Sequence, residues 1–211
     1  HHLANISTEH FEQTREKTRA LLNARETSEI IFTSGTTDGI NLVAQTWGRQ
    51  NIGAGDEILL SMLEHHSNIV PWQMLAEEKG AVIKVIPIHD NGTWQDETLN
   101  TLINERTKLV AVNHVSNALG TVNPIETLIA KAHAAGAKVL IDGAQSVTHM
   151  PIDVQALDCD FYCFSAHKLY GPTGVGVLFG KQELLETMPP MSYGGGIVAS
   201  VSLENTTFTG L

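Results

Sequence analysis

The stretch Ala137-Lys138-Val139-Leu140-Ile141-Asp142-Gly143-Ala144-Gln145 decides the reading of the fold. Residues 137–141 form a short, largely apolar run without polar alternation, the pattern of a strand buried on both faces. The run ends abruptly on an acidic residue. Upstream, residues 125–135 carry helical spacing, with Gly136 as the stop. Further out, similar apolar runs at 29–33, 57–61, 82–87, 108–113, 160–165 and 174–179 read as strands. Helical spacing falls between them at 40–47, 68–79, 96–104 and 181–186, and residues 34–39 read as a turn. A surface helix is expected over 7–22, capped by Ser7 or Thr8. Strands that alternate with helices and are apolar throughout predict an α/β fold: a three-layer, mostly parallel sheet with helices on both faces. Residues 189–196, ending in three glycines, read as a loose stretch at a domain edge or a mobile loop.

Composition narrows the function. Apolar residues make up 42% and charged residues 17%, which is globular rather than disordered material. The net charge of −10 argues against a nucleic-acid partner and against an anionic membrane, because both reward a basic face. No apolar run approaches the roughly 20 residues of a membrane span. Cys159 and Cys163 lie four apart in a strand-like run, so their side chains are expected on one face of it, with poor geometry for a disulfide. Free thiols fit a reducing, cytoplasmic setting. No spaced Cys/His set supports zinc, and no metal is expected. His1-His2 is a tag remnant or native sequence, and the chain is expected to be a piece of a longer protein.

In open α/β sheets ligands gather outside the carboxyl ends of the strands. The polar residues of interest fall at such ends: Thr36 and Thr37, His65 and His66, Asn117, Asp142 and Gln145, and Ser165 to Lys168. A carboxylate at one strand end and a lysine at another is the pair that pyridoxal 5'-phosphate requires. The lysine forms a Schiff base, and the carboxylate keeps the pyridine nitrogen protonated. Ser34-Gly35-Thr36-Thr37 would offer N–H groups and hydroxyls to an anion at a helix start, although taken alone it reads more simply as an ordinary capped helix start. It lacks the Walker lysine. Ser165 and His167 would add donors to the same phosphate. Strand alternation puts those two on one side of the chain and Lys168 on the other. Asp142 is either a partner for a ring nitrogen or a helix cap. His65 is either a ring that stacks on a flat cofactor and moves protons or a structural histidine. Adjacent histidines in extended chain point opposite ways, so His65 and His66 are not expected to form a metal site together.

Four segments together resemble the class V aminotransferase family of pyridoxal-phosphate enzymes, within it the cysteine desulfurase and selenocysteine lyase branch. They are Thr33-Ser34-Gly35-Thr36-Thr37-Asp38-Gly39-Ile40-Asn41, Glu64-His65-His66-Ser67-Asn68-Ile69-Val70-Pro71-Trp72, Asp142-Gly143-Ala144-Gln145 and Phe164-Ser165-Ala166-His167-Lys168-Leu169-Tyr170-Gly171-Pro172-Thr173-Gly174. The resemblance implies a fold-type I large domain over residues 1–211, with an N-terminal segment and a C-terminal small domain missing. It implies that Lys168 forms the Schiff base, Asp142 pairs with the pyridine nitrogen, and Gln145 bonds the phenolic oxygen. His65 would stack on the ring and assist proton transfer. Thr36, Thr37, Ser165 and His167 would hold the phosphate, and Asn117 would lie beside cofactor and substrate carboxylate. The implied reaction takes L-cysteine or L-selenocysteine. The freed lysine amine removes the Cα proton, an enzyme cysteine attacks the substrate sulfur, and a persulfide and alanine result. That cysteine belongs to the small domain; Cys159 and Cys163 match no nucleophile position. A homodimer, with the partner reaching each phosphate, and a sulfur-acceptor protein serving iron–sulfur cluster assembly complete the implied picture. A related lyase of the same family, or a non-catalytic scaffold that kept the fold, are the alternatives.

Overall fold

The apolar run at 137–141 becomes one of the inner strands of a seven-stranded sheet. The structure is a computed structural model and describes residues 2–194 and 197–209. The strands are β1 (Ile30–Thr33), β2 (Glu57–Ser61), β3 (Val82–Ile86), β4 (Thr107–Asn113), β5 (Lys138–Asp142), β6 (Phe161–Ser165) and β7 (Gly176–Gly180). Their spatial order is β1-β7-β6-β5-β4-β2-β3. The pairs β2/β3, β2/β4, β4/β5 and β5/β6 are parallel, and β7 runs antiparallel to both β6 and β1. β1 is therefore parallel to β6, and the carboxyl ends of β1, β2, β4, β5 and β6 all open on the same edge.

The helices are α1 (His2–Leu22), α2 (Thr36–Val43), α3 (Arg49–Asn51), α4 (Val70–Lys79), α5 (Leu99–Leu102), α6 (Ile125–Ala134), α7 (Ser146–His149), α8 (Val154–Leu157) and α9 (Gln182–Leu185). Alternate strand residues feed two separate cores. One contains Val110, Val112, Val139, Ile141 and Tyr162, covered by Leu22, Leu99, Leu128, Val147 and Val154 from α1, α5, α6, α7 and α8. The other contains Leu109, Ala111, Leu140, Phe161 and Cys163, covered by Ile40, Trp72, Leu75 and Leu185 from α2, α4 and α9. These are the three layers expected from the sequence. Gly136 ends α6 in a left-handed conformation (φ 82°), as its position predicts.

Several local expectations change. α1 runs unbroken through Ser7 and Thr8, so neither is its cap; the segment 2–6 holds no proline or glycine to stop the helix. α2 starts at Thr36, inside the expected turn, and passes into a π-helical turn at Ala44–Gly48. α4 starts at Val70, beyond a 3₁₀ turn at His66–Asn68, with Pro71 in its first turn where a missing N–H is harmless. Cys159 and Cys163 do not share a face. Asp158 takes a left-handed conformation and β6 begins only at Phe161, so Cys159 packs into the first core and Cys163 into the second. A hairpin of β8 (Val198–Val201) and β9 (Thr206–Phe208) follows the loose stretch. Gly195 and Gly196 of that stretch, the final Gly210 and Leu211, and His1 of the leading pair lie outside the described residues.

Candidate active site

All of the expected site residues meet at the carboxyl edge of the sheet. A cleft of about 190 Å³ is lined by Thr36, Thr37, His65, Asn117, Asp142, Gln145, Ser165, His167 and Lys168. Ser67, Asn113, Val115 and Ala144 also line it, and the sequence reading had not singled them out. Asn113 carried a usable signal, a polar residue ending an apolar strand, as Asp142 does. Strand register explains the convergence: Asn113 pairs with Asp142, Asp142 with Cys163, Ser165 with Gly176, and Gly176 with Thr33. Five strand ends thus deliver their loops side by side.

Two glycines permit this closeness. A Cβ on Gly176 would sit 2.4 Å from the Cα of Gly35, so only a bare backbone lets the β1–α2 loop press against β7 and bring Thr36 to Ser165. A Cβ on Gly143 would lie 2.1–2.3 Å from the Tyr162 ring, which packs directly under the turn that follows Asp142.

Lys168 departs from the expected alternation. β6 ends at Ser165, and Ala166–Leu169 coil into a 3₁₀ turn. Ser165, His167 and Lys168 consequently face one cleft rather than opposite sides. The Lys168 amine forms no hydrogen bond or ion pair among the described residues, while its carbonyl accepts the Thr148 hydroxyl. Asp142 is buried, and its Oδ1 accepts the Ala144 N–H at 2.9 Å. Its other oxygen has no protein donor among the described residues. Burial pushes the Asp142 carboxyl up; the Ala144 N–H and the nearby Lys168 and His65 pull it back.

On the opposite wall, the first turn of α2 meets Ser165. The Thr36 N–H donates to Ser165 Oγ at 2.8 Å, and the two hydroxyls lie 2.7 Å apart. With one hydroxyl donating to the other, the second hydroxyl hydrogen stays free for the cleft. Helix starts leave N–H groups without intrahelical partners, which favours an anion there. His65 and His66 diverge as expected. His65 lines this cleft, whereas His66 lines a neighbouring groove of about 420 Å³ beyond Thr37 and Ser67.

Beneath His65 lies a buried carboxyl that the sequence reading passed over. Glu64 Oε2 accepts Asn68 Nδ2–H at 2.8 Å, and Oε1 accepts the Asn113 N–H at 3.1 Å and lies 2.5 Å from Ser61 Oγ. The Trp72 indole donates to Asn68 Oδ1 at 2.8 Å, which fixes the orientation of that amide. This network ties the loop after β2, which carries His65, to the end of β4 and the start of α4. Burial pushes the Glu64 carboxyl up to about 8, against the opposing hydrogen bonds and with a further push from Asp142.

Comparison with known proteins agrees with this geometry. The family described as aminotransferase class-V matches residues 1–211. A cysteine desulfurase of Escherichia coli O1:K1 is 56% identical over 210 residues, 99% of this chain and 52% of the relative. The crystal structure of the Escherichia coli cysteine desulfurase CsdA superposes with a TM-score of 0.94 at 45% identity, covering 98% of this chain and 52% of that one. The apo cysteine desulfurase of Thermococcus onnurineus NA1 gives 0.94 at 38% identity, covering 100% and 52%. The chain spans about half the length of the curated relatives it matches. With the match running the length of the sequence, the chain belongs to the class-V aminotransferase family.

Proposed function

We propose that this chain is the pyridoxal 5'-phosphate-binding large domain of a cysteine desulfurase that acts on L-cysteine. One observation carries the reading: nine side chains from five separate loops, each expected for that cofactor, line a single cleft. The donor set fits the group. A buried carboxylate with one oxygen lacking a protein donor suits a protonated ring nitrogen. An amine without a partner among the described residues suits covalent capture of a carbonyl carbon, and a hydroxyl-rich helix start suits a phosphate.

Asp142 would hold the ring nitrogen, Gln145 the phenolic oxygen, and His65 the ring face. Thr36, Thr37, Ser165 and His167 would surround the phosphate, with Asn117 at the substrate side. When bound, the cofactor supplies an electron sink for negative charge developing at an amino acid's Cα. The chain's own part is to hold Asp142 out of water with Lys168 and His65 favouring its charged form, to hold Lys168 in reach of that carbon, and to move a proton with the lysine amine. Cys159 and Cys163 take no part in this reading. Both are buried free thiols, pushed well above the ordinary thiol range by burial, so neither offers a thiolate for sulfur attack. The cysteine that takes the sulfur would belong to a C-terminal small domain outside this chain. Homodimerisation, a sulfur-acceptor protein, service in iron–sulfur cluster assembly and a cytoplasmic setting belong to the same proposal and are supported by the likeness to cysteine desulfurases. Among the described residues, no helix is long and apolar enough to cross a membrane.

The test is borohydride reduction of the intact protein with added pyridoxal 5'-phosphate, followed by peptide mapping. A stable adduct on Lys168, absent from Lys168→Ala, is expected. Equal labelling of both proteins would overturn the assignment.

A further inference from the structure

Ser67 stands between two groups that the proposed chemistry uses separately. Its Oγ lies 2.7 Å from Thr37 Oγ1 and 3.0 Å from His65 Nδ1, and its backbone N–H donates to the same Nδ1 at 3.2 Å. The turn His66–Asn68 creates this arrangement, with His65 as its cap residue. No other group hydrogen-bonds Nδ1 among the described residues.

The donor bookkeeping leaves few arrangements. A backbone N–H can only donate, so the bond from Ser67 N requires a lone pair on Nδ1 and leaves the single ring proton of a neutral imidazole on Nε2. If Nδ1 gains a proton, it must turn to Ser67 Oγ, the one acceptor beside it. Ser67 is then free to send its own hydroxyl hydrogen to Thr37 Oγ1. Thr37 in turn has its hydroxyl hydrogen free for the cleft. A phosphate accepting from Thr37 selects that same arrangement from the other end.

We propose that Ser67 is a positioning residue that couples the phosphate seat at Thr37 to the Nδ1 side of His65. The coupling rests on the pyridoxal-phosphate reading only in requiring a phosphate at Thr37. The charges facing His65 are Asp142 at the end of β5 and Lys168 after β6, with the His66 ring centroid 5.9 Å away. They act alike on the parent protein and on a Ser67 variant, so comparison of the two isolates the hydroxyl.

The experiment records imidazole ¹⁵N spectra of histidine-labelled intact protein with pyridoxal 5'-phosphate and with pyridoxal, which differ only in the phosphate. In the parent protein the phosphate-bearing compound is expected to move the His65 Nδ1 resonance further toward the protonated position than pyridoxal does. In Ser67→Ala that difference is expected to vanish while both compounds still form the Lys168 adduct, and Ser67→Thr is expected to restore it. A purely structural serine would not produce a phosphate-dependent difference at Nδ1. Persistence of the full difference in Ser67→Ala, or its absence from the parent protein despite adduct formation, would overturn the coupling. Absence of any adduct at Lys168 in the parent protein would instead overturn the cofactor reading.

Discussion

Glu64→Gln isolates a proton that the fold holds and the unfolded chain releases. The Glu64 carboxyl is pushed from an ordinary 4.5 to about 8, chiefly by burial. A raised folded value means that stability is fully present below about 4.5 and is lost as pH rises through about 8. One proton released on unfolding changes stability by about 1.4 kcal/mol per pH unit, so the window amounts to something on the order of 5 kcal/mol. Glutamine has no such proton. It also meets a geometric conflict: Asn68 Nδ2 and the Asn113 N–H both donate toward Glu64, and the Trp72 indole prevents the Asn68 amide from turning over. One amide end must therefore face a donor, at a pH-independent cost of about 1–3 kcal/mol. The parent protein should be the more stable at pH 5, and the gap should close and then reverse as pH approaches 8. Urea unfolding of both proteins at intervals from pH 5 to 9 reads the difference directly. A difference that stays flat between pH 5 and 8 would show that Glu64 is ionised throughout, its three hydrogen bonds outweighing burial, and would refute the reasoning.

Two further outcomes follow from the site. Asp142→Ala in the intact protein is expected to lose at least about a hundredfold in alanine release from L-cysteine, on the scale of removing an electrostatic partner of the reacting centre, while its circular dichroism stays close to that of the parent. Parent-like turnover would remove Asp142 from its role. Cys159 and Cys163, both buried and held as thiols, should resist a charged alkylating reagent in the native protein and react together on unfolding. Rapid native labelling of either, mapped by mass spectrometry, would contradict the packing described here.

What the sequence revealed about the site came from polar residues placed where apolar runs stop. Asp142 and Ser165 are legible because a buried strand that ends on a polar group points to something waiting at the sheet edge, and the threonines at 36 and 37 because they follow a strand at a helix start. Ser67 and Glu64 were not legible in that way. Their significance lies in contacts with Thr37 and Asn113, 30 and 49 residues away in sequence, and spacing alone carries no signal of such contacts. The reversed direction of β7 was equally hidden, since a strand buried on both faces shows the same apolar run whichever way it points. The hairpin β8–β9 escaped because its residues are largely exposed and lack a buried alternating face. The misplaced face of Cys159 had a different origin. Strand periodicity was carried back two residues from Phe161, where β6 begins, to Cys159 beside the left-handed Asp158.

The charge balance of the cleft gives these pieces a common logic. Two buried carboxyls, Glu64 and Asp142, lie near enough to raise each other's cost of ionisation. Burial pushes both carboxyls up, but Asp142 faces the cleft, where Lys168 and His65 oppose that push. A cationic ring nitrogen in the cleft would add to that opposition and favour the Asp142 carboxylate. Neutral Glu64 still serves the site by fastening the His65 loop to the end of β4. Were Glu64 ionised, its charge would make the Asp142 carboxyl hold a proton more readily. The burial that makes Glu64 a liability to stability above about pH 8 also keeps a second negative charge away from Asp142 below it.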